Sequence, residues 1–504
     1  MRKHILYKAY ILILCTVVFT SCDRNDDENF PPPEYNSPEI ELTDNSAELG
    51  AGQLINISAS INASVALTSL RVTEGNSVID QINYDGARGT DTYSFLFQIP
   101  TDWLGTTRDI NFLITDRLNQ TDTATFSVTV SEIIPQYTIE DVTIEGQTYK
   151  EINGIINFNE TLTNDNLYLL DGEVSVGQST TLTIEPGTTI YGKDASSRLD
   201  VREFGMIVAD GTAEDPIVFT SFNTAPGQSG NPAHGDWSGI QINGSGQGDN
   251  SGVIKYVRIE YGGSNDDTFQ IQNVGDQTVI EYVQVFKSLD NAFRVNEGNV
   301  NIRYIIATDC EDAGIRFDDM WNGHGQFWVV NSISTSNAIE GRDESNTILS
   351  NITITGVGFN DSSQGPAGNG FRIRNNAKAR IYNSVVTGVD RSIRFSDGSE
   401  AFTTTGENIF SNSASFSNDE DSGTGFHSSA DLFNPTDGDY DPTFNNSIAS
   451  FQIENSYVGT STVNSREAGP LSSFFENVNY IGAVPADNDW TLGWTRNIDG
   501  NIRE

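Results

Sequence analysis

A repeated pair of short strands constrains the fold of this chain more than any other feature of its sequence. One strand of alternating apolar and polar residues recurs at intervals of about 25 residues. The central residues of its six occurrences are Tyr256, Tyr282, Tyr304, Asn331, Asn351 and Asn383. A second strand lies in each interval, and no interval contains a helical pattern.

Two short strands per repeat of this length are typical of a parallel β-helix. A single coil cannot bury its own apolar face, so coils stack about 4.8 Å apart and share one core. Leucine-rich repeats are excluded because the leucine periodicity is missing, and a propeller blade would need a repeat of about 40 residues. The sequence therefore predicts an all-β chain in which residues 136–504 form a parallel β-helix, with an irregular cap after about residue 400.

The region before the repeat has a different pattern. Residues 38–135 contain about seven period-two strands, such as Leu54–Ser58 and Ile110–Ile114, separated by turn residues. This density of strands is typical of a small β-sandwich, and it resembles the immunoglobulin-like modules of bacterial surface proteins. We expect this domain to hold the β-helix away from a membrane.

The N-terminus has the features of a secretion signal. Residues 1–21 begin with positive charges, continue with the apolar run Ile11–Phe19 and end just before Cys22. The sequence around Cys22 resembles a bacterial lipobox, in which the cysteine becomes the lipidated first residue; ordinary cleavage nearby is the alternative. Residues 22–37 form an acidic, proline-containing tether, whose acidic cluster resembles the surface-export signal of Bacteroidetes lipoproteins. We therefore expect a lipid anchor at Cys22 and localisation on the outer face of the outer membrane.

Charge and cysteine content exclude several classes of protein. The chain has 69 acidic residues against 28 Lys and Arg, a formal net charge of −41. Nucleic acid is excluded as a partner because phosphate binding requires a local excess of cations. Beyond the N-terminus no apolar run approaches the ~20 residues of a membrane-spanning helix, which excludes a helical transporter. Cys310 would be the only thiol left beside a lipidated Cys22, so no disulfide is expected and Cys310 should be buried.

Several motifs of the repeat region carry a resemblance to a known family. They are Ile184–Thr188, Gly211–Ser221, Gly235–Ile240, Tyr480–Ala483 and Asp489–Thr495. In this order they resemble a Bacteroidetes family of right-handed parallel β-helix lipoproteins, over roughly residues 138–504. The resemblance implies a right-handed helix. Members of that family often sit beside SusC/SusD-type glycan importers, which implies an accessory role in glycan uptake.

The segment around residue 320 holds the strongest candidates for catalysis. Asp318, Asp319 and the Gly-His-Gly sequence around His324 resemble elements of polygalacturonase-like glycosidases, which share the β-helix fold. Those enzymes present an acid and a base from adjacent coils on either side of one glycosidic bond. Here only four residues separate Asp319 from His324, and the Asn-Thr-Asp element of that family is absent. A polar turn that closes one coil is the favoured interpretation.

A polysaccharide lyase is the second enzymatic alternative. β-Helix pectate lyases pair an arginine base with carboxylate-bound calcium, and Arg294 or Arg316 near Asp318 and Asp319 resembles that arrangement. Calcium binding at the loop Asp437–Asp441 is a further alternative. The spacing of its aspartates departs from an EF-hand loop, so a solvated acidic loop is favoured. Zinc is not supported, because the three histidines after the signal lie about ninety to a hundred residues apart. No cofactor is predicted.

The second strand of the repeat supplies a better candidate site. Its middle residue lies between two apolar neighbours and should therefore point outward. The column formed by these residues reads Gln270, Arg294, Arg316, Glu340, Arg372 and Arg394. One interpretation is charge balance with Asp290, Asp312, Glu340 and Asp390. The other is a track for an acidic or sulfated polymer, since the arginine fork suits carboxylate and sulfate.

Trp321 and Trp328 lie in the same stretch. Exposed, they would stack on sugar rings; buried, they would belong to the core. Together with the predicted surface location, these features predict a non-catalytic lipoprotein that binds a polysaccharide or assists a SusC/SusD-type importer. A β-helix lyase or glycoside hydrolase is the first alternative, and a structural adhesin is the second.

Overall fold

The computed structural model describes residues 35–132, 134–331, 336–356, 368–389, 391–416, 465–485 and 487–504. Cys22, Asp390 and the loop Asp437–Asp441 lie outside these ranges. The regular secondary structure of the described chain consists of β-strands and the three 3₁₀ helices Thr101–Trp103, Phe222–Thr224 and Ser399–Thr403. No helix within these ranges is both long enough and apolar enough to cross a membrane.

The N-terminal strands form two sheets. Their bounds are β1 Glu39–Leu42, β2 Ser46–Gly50, β3 Leu54–Asn62, β4 Leu67–Glu74, β5 Ser77–Asn83, β6 Thr90–Gln98, β7 Thr107–Asp116 and β8 Thr121–Ser131. One sheet has the order β1-β3-β6 and the other β2-β8-β7-β4-β5. Tyr93 on β6 meets Phe112 on β7 edge to face, with ring centroids 6.1 Å apart, so apolar side chains of the two sheets share a core. The immunoglobulin-like assignment and the boundaries 38–135 stay predictions.

The following strands build the repeat region. Their bounds are β9 Gln136–Ile144, β10 Gln147–Ile156, β11 Glu160–Leu162, β12 Leu167–Val176, β13 Thr181–Ile184, β14 Thr189–Gly192, β15 Arg198–Val201, β16 Met206–Asp210, β17 Ile217–Ser221, β18 Gly239–Asn243, β19 Gly252–Glu260, β20 Phe269–Gln272, β21 Val279–Phe286, β22 Phe293–Asn296, β23 Ile302–Thr308, β24 Ile315–Asp318, β25 His324–Asn331, β26 Ile339–Gly341, β27 Asn346–Thr355, β28 Asn369–Ile373, β29 Lys378–Tyr382, β30 Val385–Thr387, β31 Arg391–Phe395, β32 Ile409–Ser411 and β33 Ala414–Phe416. After the antiparallel pair β9–β10, each strand pairs in parallel with a strand of the next coil. The predicted parallel β-helix is confirmed.

Apolar columns inside the coils hold the stack together. In the second strand, one column is buried from coil to coil and consists of Phe269, Phe293, Ile315, Ile339, Phe371 and Ile393. Each such side chain stabilises the fold by about 1.5–3 kcal/mol relative to leaving it exposed. Cys310 is also buried in this core, as expected, and burial raises the pKa of its thiol to about 12.

The tyrosines of the first strand form a stacked ladder. Tyr256 and Tyr282 lie with ring centroids 4.4 Å apart, and so do Tyr282 and Tyr304. Phe327 continues the stack at 4.7 Å from Tyr304. The expectation that Asn331 occupies this column is wrong, because Asn331 pairs with Thr308 further along the strand.

Every member of this column has a left-handed backbone. The φ angles lie between 48° and 58° at Tyr256, Tyr282, Tyr304, Phe327, Asn351 and Asn383. Asparagine tolerates this conformation well, whereas an aromatic residue there is strained. Face-to-face stacking with neighbours above and below offsets that strain in the aromatic coils.

The last described segment runs back along this column. We call residues 465–485 and 487–504 the C-terminal strap. Side chains of successive coils bond its backbone: Asn383 bonds Arg466, Gln326 bonds Glu476, Asn351 bonds Tyr480 and Gln284 bonds Arg496. Trp490 and Trp494 pack edge-on against the tyrosine rings. The strap therefore covers the side of the coils, whereas β32 and β33, which also follow residue 400, still pair in parallel with β29 and β30.

Candidate functional site

The predicted arginine column exists as one row across the coils. One outward-facing residue from each of β20, β22, β24, β26, β28 and β31 pairs in register with the next, and these residues are Gln270, Arg294, Arg316, Glu340, Arg372 and Arg394. Because these residues alternate with buried ones, their side chains share the outer face of the sheet.

A second row lies beside it, two residues further along each strand. Its members are Gln272, Asn296, Asp318, Arg342, Arg374 and Ser396. Arg342 and Arg374 lie outside the column predicted from three-residue strands, although the spacing from Arg372 to Arg374 already shows period two. We call the side chains of Arg294, Arg316, Arg342, Arg372, Arg374 and Arg394 the arginine face.

Asp318 is the main counterion of this face. It is 0% exposed, and its carboxylate lies 3.3 Å from Arg294, 2.9 Å from Arg316 and 3.6 Å from Arg342. Arg294 also reaches Asp267 at 3.5 Å and Asp319 at 3.6 Å. Charge balance is therefore present on the arginine face, and Asp318 is its centre.

The partners predicted for this balance were partly wrong. The Asp290 carboxylate accepts hydrogen bonds from Asn291, and the Asp312 carboxylate accepts one from Ser336. Glu340 does act as predicted, since Arg374 donates to it at 2.8 Å. The physical reason is position: Asp290 and Asp312 precede their strands, whereas Asp318 ends one on the same outer face.

The carboxylates hold three arginines through one nitrogen each. Nε of Arg316 donates to Asp318 at 2.9 Å, Nε of Arg342 to Asp343 at 2.8 Å and Nε of Arg374 to Glu340 at 2.8 Å. Within the described residues, the terminal nitrogens of these three guanidinium groups make no hydrogen bond. Each group is thus fixed at its base, and its paired terminal N–H groups stay available for an anion.

Arg372 differs from these three. Its Nε is buried and has no hydrogen-bond partner among the described residues. It lies in register between Glu340 and Arg394. The surrounding protein therefore satisfies Arg372 less fully than Arg316, Arg342 or Arg374.

Two groups near the centre have shifted acidity. Burial opposes the charge of Arg294, but the charges of Asp318 and Asp267 outweigh it and raise its pKa further. Arg294 therefore keeps its proton, which argues against a role as the base of a lyase. Burial also raises the pKa of Asp267 to about 6, and its Oδ2 has no hydrogen-bond partner in the described chain.

The three catalytic candidates do not form one constellation in the described structure. Asp318 is enclosed by arginines, and Asp319 lies half-exposed at the end of β24 with a φ of 48°. His324 lines a different cavity, and no hydrogen bond or ion pair between described residues joins it to either aspartate. Burial lowers the pKa of His324, so its imidazole is neutral at pH 7.

Both tryptophans belong to the core. Trp321 and Trp328 are 0% exposed, and their indole N–H groups donate to the carbonyl oxygens of Val300 at 3.1 Å and Ile302 at 2.9 Å. A role in stacking on sugar rings is therefore wrong for both. Trp328 alternates with outward-facing residues of β25, and its indole fills the space above Gly325.

A row of acidic and amide residues flanks the arginine face where the second strands end. These residues have φ angles of 48–55° and are Asn273, Glu297, Asp319, Asp343, Asn375 and Asp397. They line two open grooves with volumes of about 490 and 540 Å³. No group of three or more His, Cys, Asp or Glu side chains in the described ranges is arranged to hold a metal ion.

Comparison with known proteins adds one result. A protein-family model described as "Pectate-lyase like beta helix domain" matches residues 154–495. This range includes the coils from β11 through β33, the whole arginine face and most of the C-terminal strap. A search of curated proteins found no match to this sequence.

Proposed function

The chain belongs to the family of pectate-lyase-like β-helix domains, and from that premise we propose that it is a non-catalytic protein that binds an acidic or sulfated polysaccharide along the arginine face. One observation carries the proposal. Arg316, Arg342 and Arg374 are anchored through Nε, so their guanidinium groups are held in place before a ligand binds. Pre-orientation lowers the entropy lost on binding, and a bidentate fork matches carboxylate and sulfate.

The spacing of the coils fits an extended polymer. Neighbouring positions of a row are separated by about 4.8 Å, and the row crosses six strands in register. A ligand with charges repeated along its length could contact several coils at once. The acidic row beside the face restricts the approach of other polyanion segments and confines the ligand to the arginine rows.

The enzymatic alternative has one observation in its favour. Asp267, with a pKa of about 6, has the acidity expected of a general acid. However, the carboxylate nearest to the arginines, Asp318, is enclosed by ion pairs, and Arg294 is held protonated. A hydrolase or lyase needs a second free group on the opposite side of the bond, so binding is the function that the geometry favours.

The cellular setting is proposed from the sequence. A lipid on Cys22 would anchor the protein to the outer face of the outer membrane, with the N-terminal sheets as a spacer. The captured glycan would then be passed to a SusC/SusD-type importer. Replacing Cys22 with alanine should release the protein from the membrane fraction of its host; retention of the variant there would refute the lipid anchor.

Binding to a panel of uronate-containing, sulfated and neutral polysaccharides tests the function. We expect retention on an acidic or sulfated member, lost in the double variant Arg316→Gln/Arg374→Gln and weakened at high salt because the exposed charges are screened. The matched control is Arg71→Gln/Arg380→Gln, which removes the same charge elsewhere. Retention that is equal in both double variants would refute the arginine face as the site.

The same incubation separates binding from catalysis. Intact polymer after long incubation, with and without calcium, is the result expected of a binding protein. New reducing ends or unsaturated uronates would establish the hydrolase or lyase instead. Asp267→Asn should abolish such products if Asp267 is the acid.

A further inference from the structure

A polar cavity lies between the turns of the coils and the C-terminal strap, beside one of the two grooves that flank the arginine face. Its volume is about 390 Å³, within the range of small-ligand pockets. Its lining includes Asn299, Asn301, Asn322, His324, Ser473 and Phe474. The cavity therefore combines amide, hydroxyl and imidazole groups with one aromatic ring.

We propose that this cavity binds a single uncharged sugar unit. The pattern of groups matches a pyranose, whose hydroxyls need both donors and acceptors and whose C–H face packs on an aromatic ring. The proposal goes beyond polyanion binding, because none of the lining residues belongs to the arginine face. It gives the protein a second, independent carbohydrate site.

His324 contributes a polar imidazole ring that the protein holds in a fixed position in the cavity. Its backbone N–H donates to Oδ1 of Asn301 at 3.0 Å, and its ring stacks on Phe475 with centroids 5.5 Å apart. A neutral imidazole has one nitrogen that donates and one that accepts. The ring position is thus set by the protein before any ligand enters.

Phe474 supplies the apolar surface. The Arg303 guanidinium lies 5.5 Å from its ring centroid, and Phe475 packs edge to face at 5.2 Å. These contacts hold the ring at the border of the cavity, where it is half-buried. A sugar ring packed here would replace water against an aromatic side chain that is already ordered.

The charge of the lining selects against anionic sugars. Among the described residues that line the cavity, Asp276 is the only one with a formally charged side chain, and it is exposed. None of the lining residues in the described ranges is a cation that would compensate the charge of a uronate or sulfate. A neutral hexose or an N-acetylated hexosamine avoids this repulsion.

Two substitutions test the cavity without breaking structural bonds. Ser473 is exposed, and neither its side chain nor that of Asn322 makes a hydrogen bond among the described residues. Ser473→Trp fills the cavity, and Asn322→Ala removes one polar contact. Asn62→Ala, at an exposed asparagine of β3, is the matched control.

The measurement is titration calorimetry with neutral disaccharides of glucose, galactose, mannose and N-acetylglucosamine. We expect at least one to bind, with affinity roughly three- to tenfold lower in Asn322→Ala and about tenfold or more lower in Ser473→Trp. Asn62→Ala should bind as the parent does. Thermal unfolding of each variant verifies that the fold is retained.

Two outcomes would overturn the proposal: no heat from any disaccharide, or unchanged binding in Ser473→Trp. Salt and the arginine variant distinguish this site from the polyanion site. Neutral-sugar binding should be insensitive to salt and intact in Arg316→Gln/Arg374→Gln. Loss of polyanion retention alone would refute the arginine face as a binding site but not the sugar-binding cavity. Loss of neutral-sugar binding alone would refute the cavity but not the arginine face.

Discussion

Arg258 donates from Nη1 to the carbonyl oxygen of Trp494 at 2.6 Å, across 236 residues of sequence. Its Nε lies 2.7 Å from Glu260, and Arg496 of the strap reaches the same carboxylate at 2.6 Å. Burial opposes the ionisation of Glu260, but the two arginines outweigh it and lower the pKa of this carboxyl. A buried charged cluster therefore ties the C-terminal strap to the coils.

Removing the Glu260 carboxylate, which Arg258 and Arg496 share, should weaken the attachment of the strap to the coils. Glu260→Ala leaves Arg258 buried without a counterion, so we expect the free energy of unfolding to fall by about 3–5 kcal/mol. Urea titration followed by tryptophan fluorescence measures it. Arg88→Ala, which breaks the exposed pair with Asp91, should cost only about 0–1 kcal/mol. Equal costs for the two variants would contradict the role of the buried cluster.

The tyrosine ladder predicts an unusual order of stability among variants of Tyr282. Tyr282 stacks on both Tyr256 and Tyr304 and has a φ of 54°. Losing two aromatic pairs should cost about 1–3 kcal/mol in any variant. Tyr282→Val should cost more than Tyr282→Asn, because a β-branched residue is strained in the left-handed region and asparagine is not. Calorimetric melting of both variants would measure the difference, and a more stable valine variant would refute the backbone argument.

The stack could be predicted from sequence because the same aromatic residue returns at nearly constant spacing. Its fourth member was missed for a physical reason. Asparagine side chains can hydrogen-bond along a stack of coils, which favours Asn331 as the next member of the column when the sequence is considered alone. The structure shows that the next coil continues the stacked rings first, and that asparagine takes over only at Asn351.

Other features of the candidate site were beyond sequence reasoning. Period two placed Arg294 and Arg316 on one face, but the pairing of both with Asp318 depends on the register between coils. The burial of Trp321 is a tertiary property that its polar neighbours concealed. The strap has no repeat pattern, so the sequence does not indicate that Arg496 forms an ion pair with Glu260.

His234 should make stability depend on pH. It lies between Asp309 and Glu311, with nitrogen–oxygen distances of 3.6 Å to each, and its hydrogen bond to Asp309 raises its pKa. A group with a raised folded pKa contributes stability below its unfolded value, near 6.5, and loses it as pH rises through the folded pKa. Burial opposes the ionisation of Asp309, but His234 and Lys287 outweigh it and lower the pKa of this carboxyl. The contribution of Asp309 to stability is therefore lost only when the pH falls through this lowered pKa.

The contribution of His234 should therefore be largest between about pH 4.5 and 6.5. We expect the melting temperatures of the parent and His234→Gln to differ most in this window and to converge as the pH rises toward 9. Melting curves across pH 4–9 measure the difference. A gap that widens with pH would mean that His234 is buried as a neutral group.

Substitution of two arginines in one row should affect stability differently. Nε of Arg372 is buried without a partner, which costs roughly 1–3 kcal/mol, and its in-register neighbour is the like-charged Arg394. Arg372→Met should therefore leave stability unchanged or raise it. Arg316→Met should lower it, because Asp318 stays buried with one cation fewer.

If the arginine face binds a polyanion, both variants should weaken retention on that polymer. Arg372 would then contribute to binding at the expense of stability. Denaturant titration and polysaccharide retention of the two variants test this directly, and a destabilised Arg372→Met that binds normally would make Arg372 a structural residue.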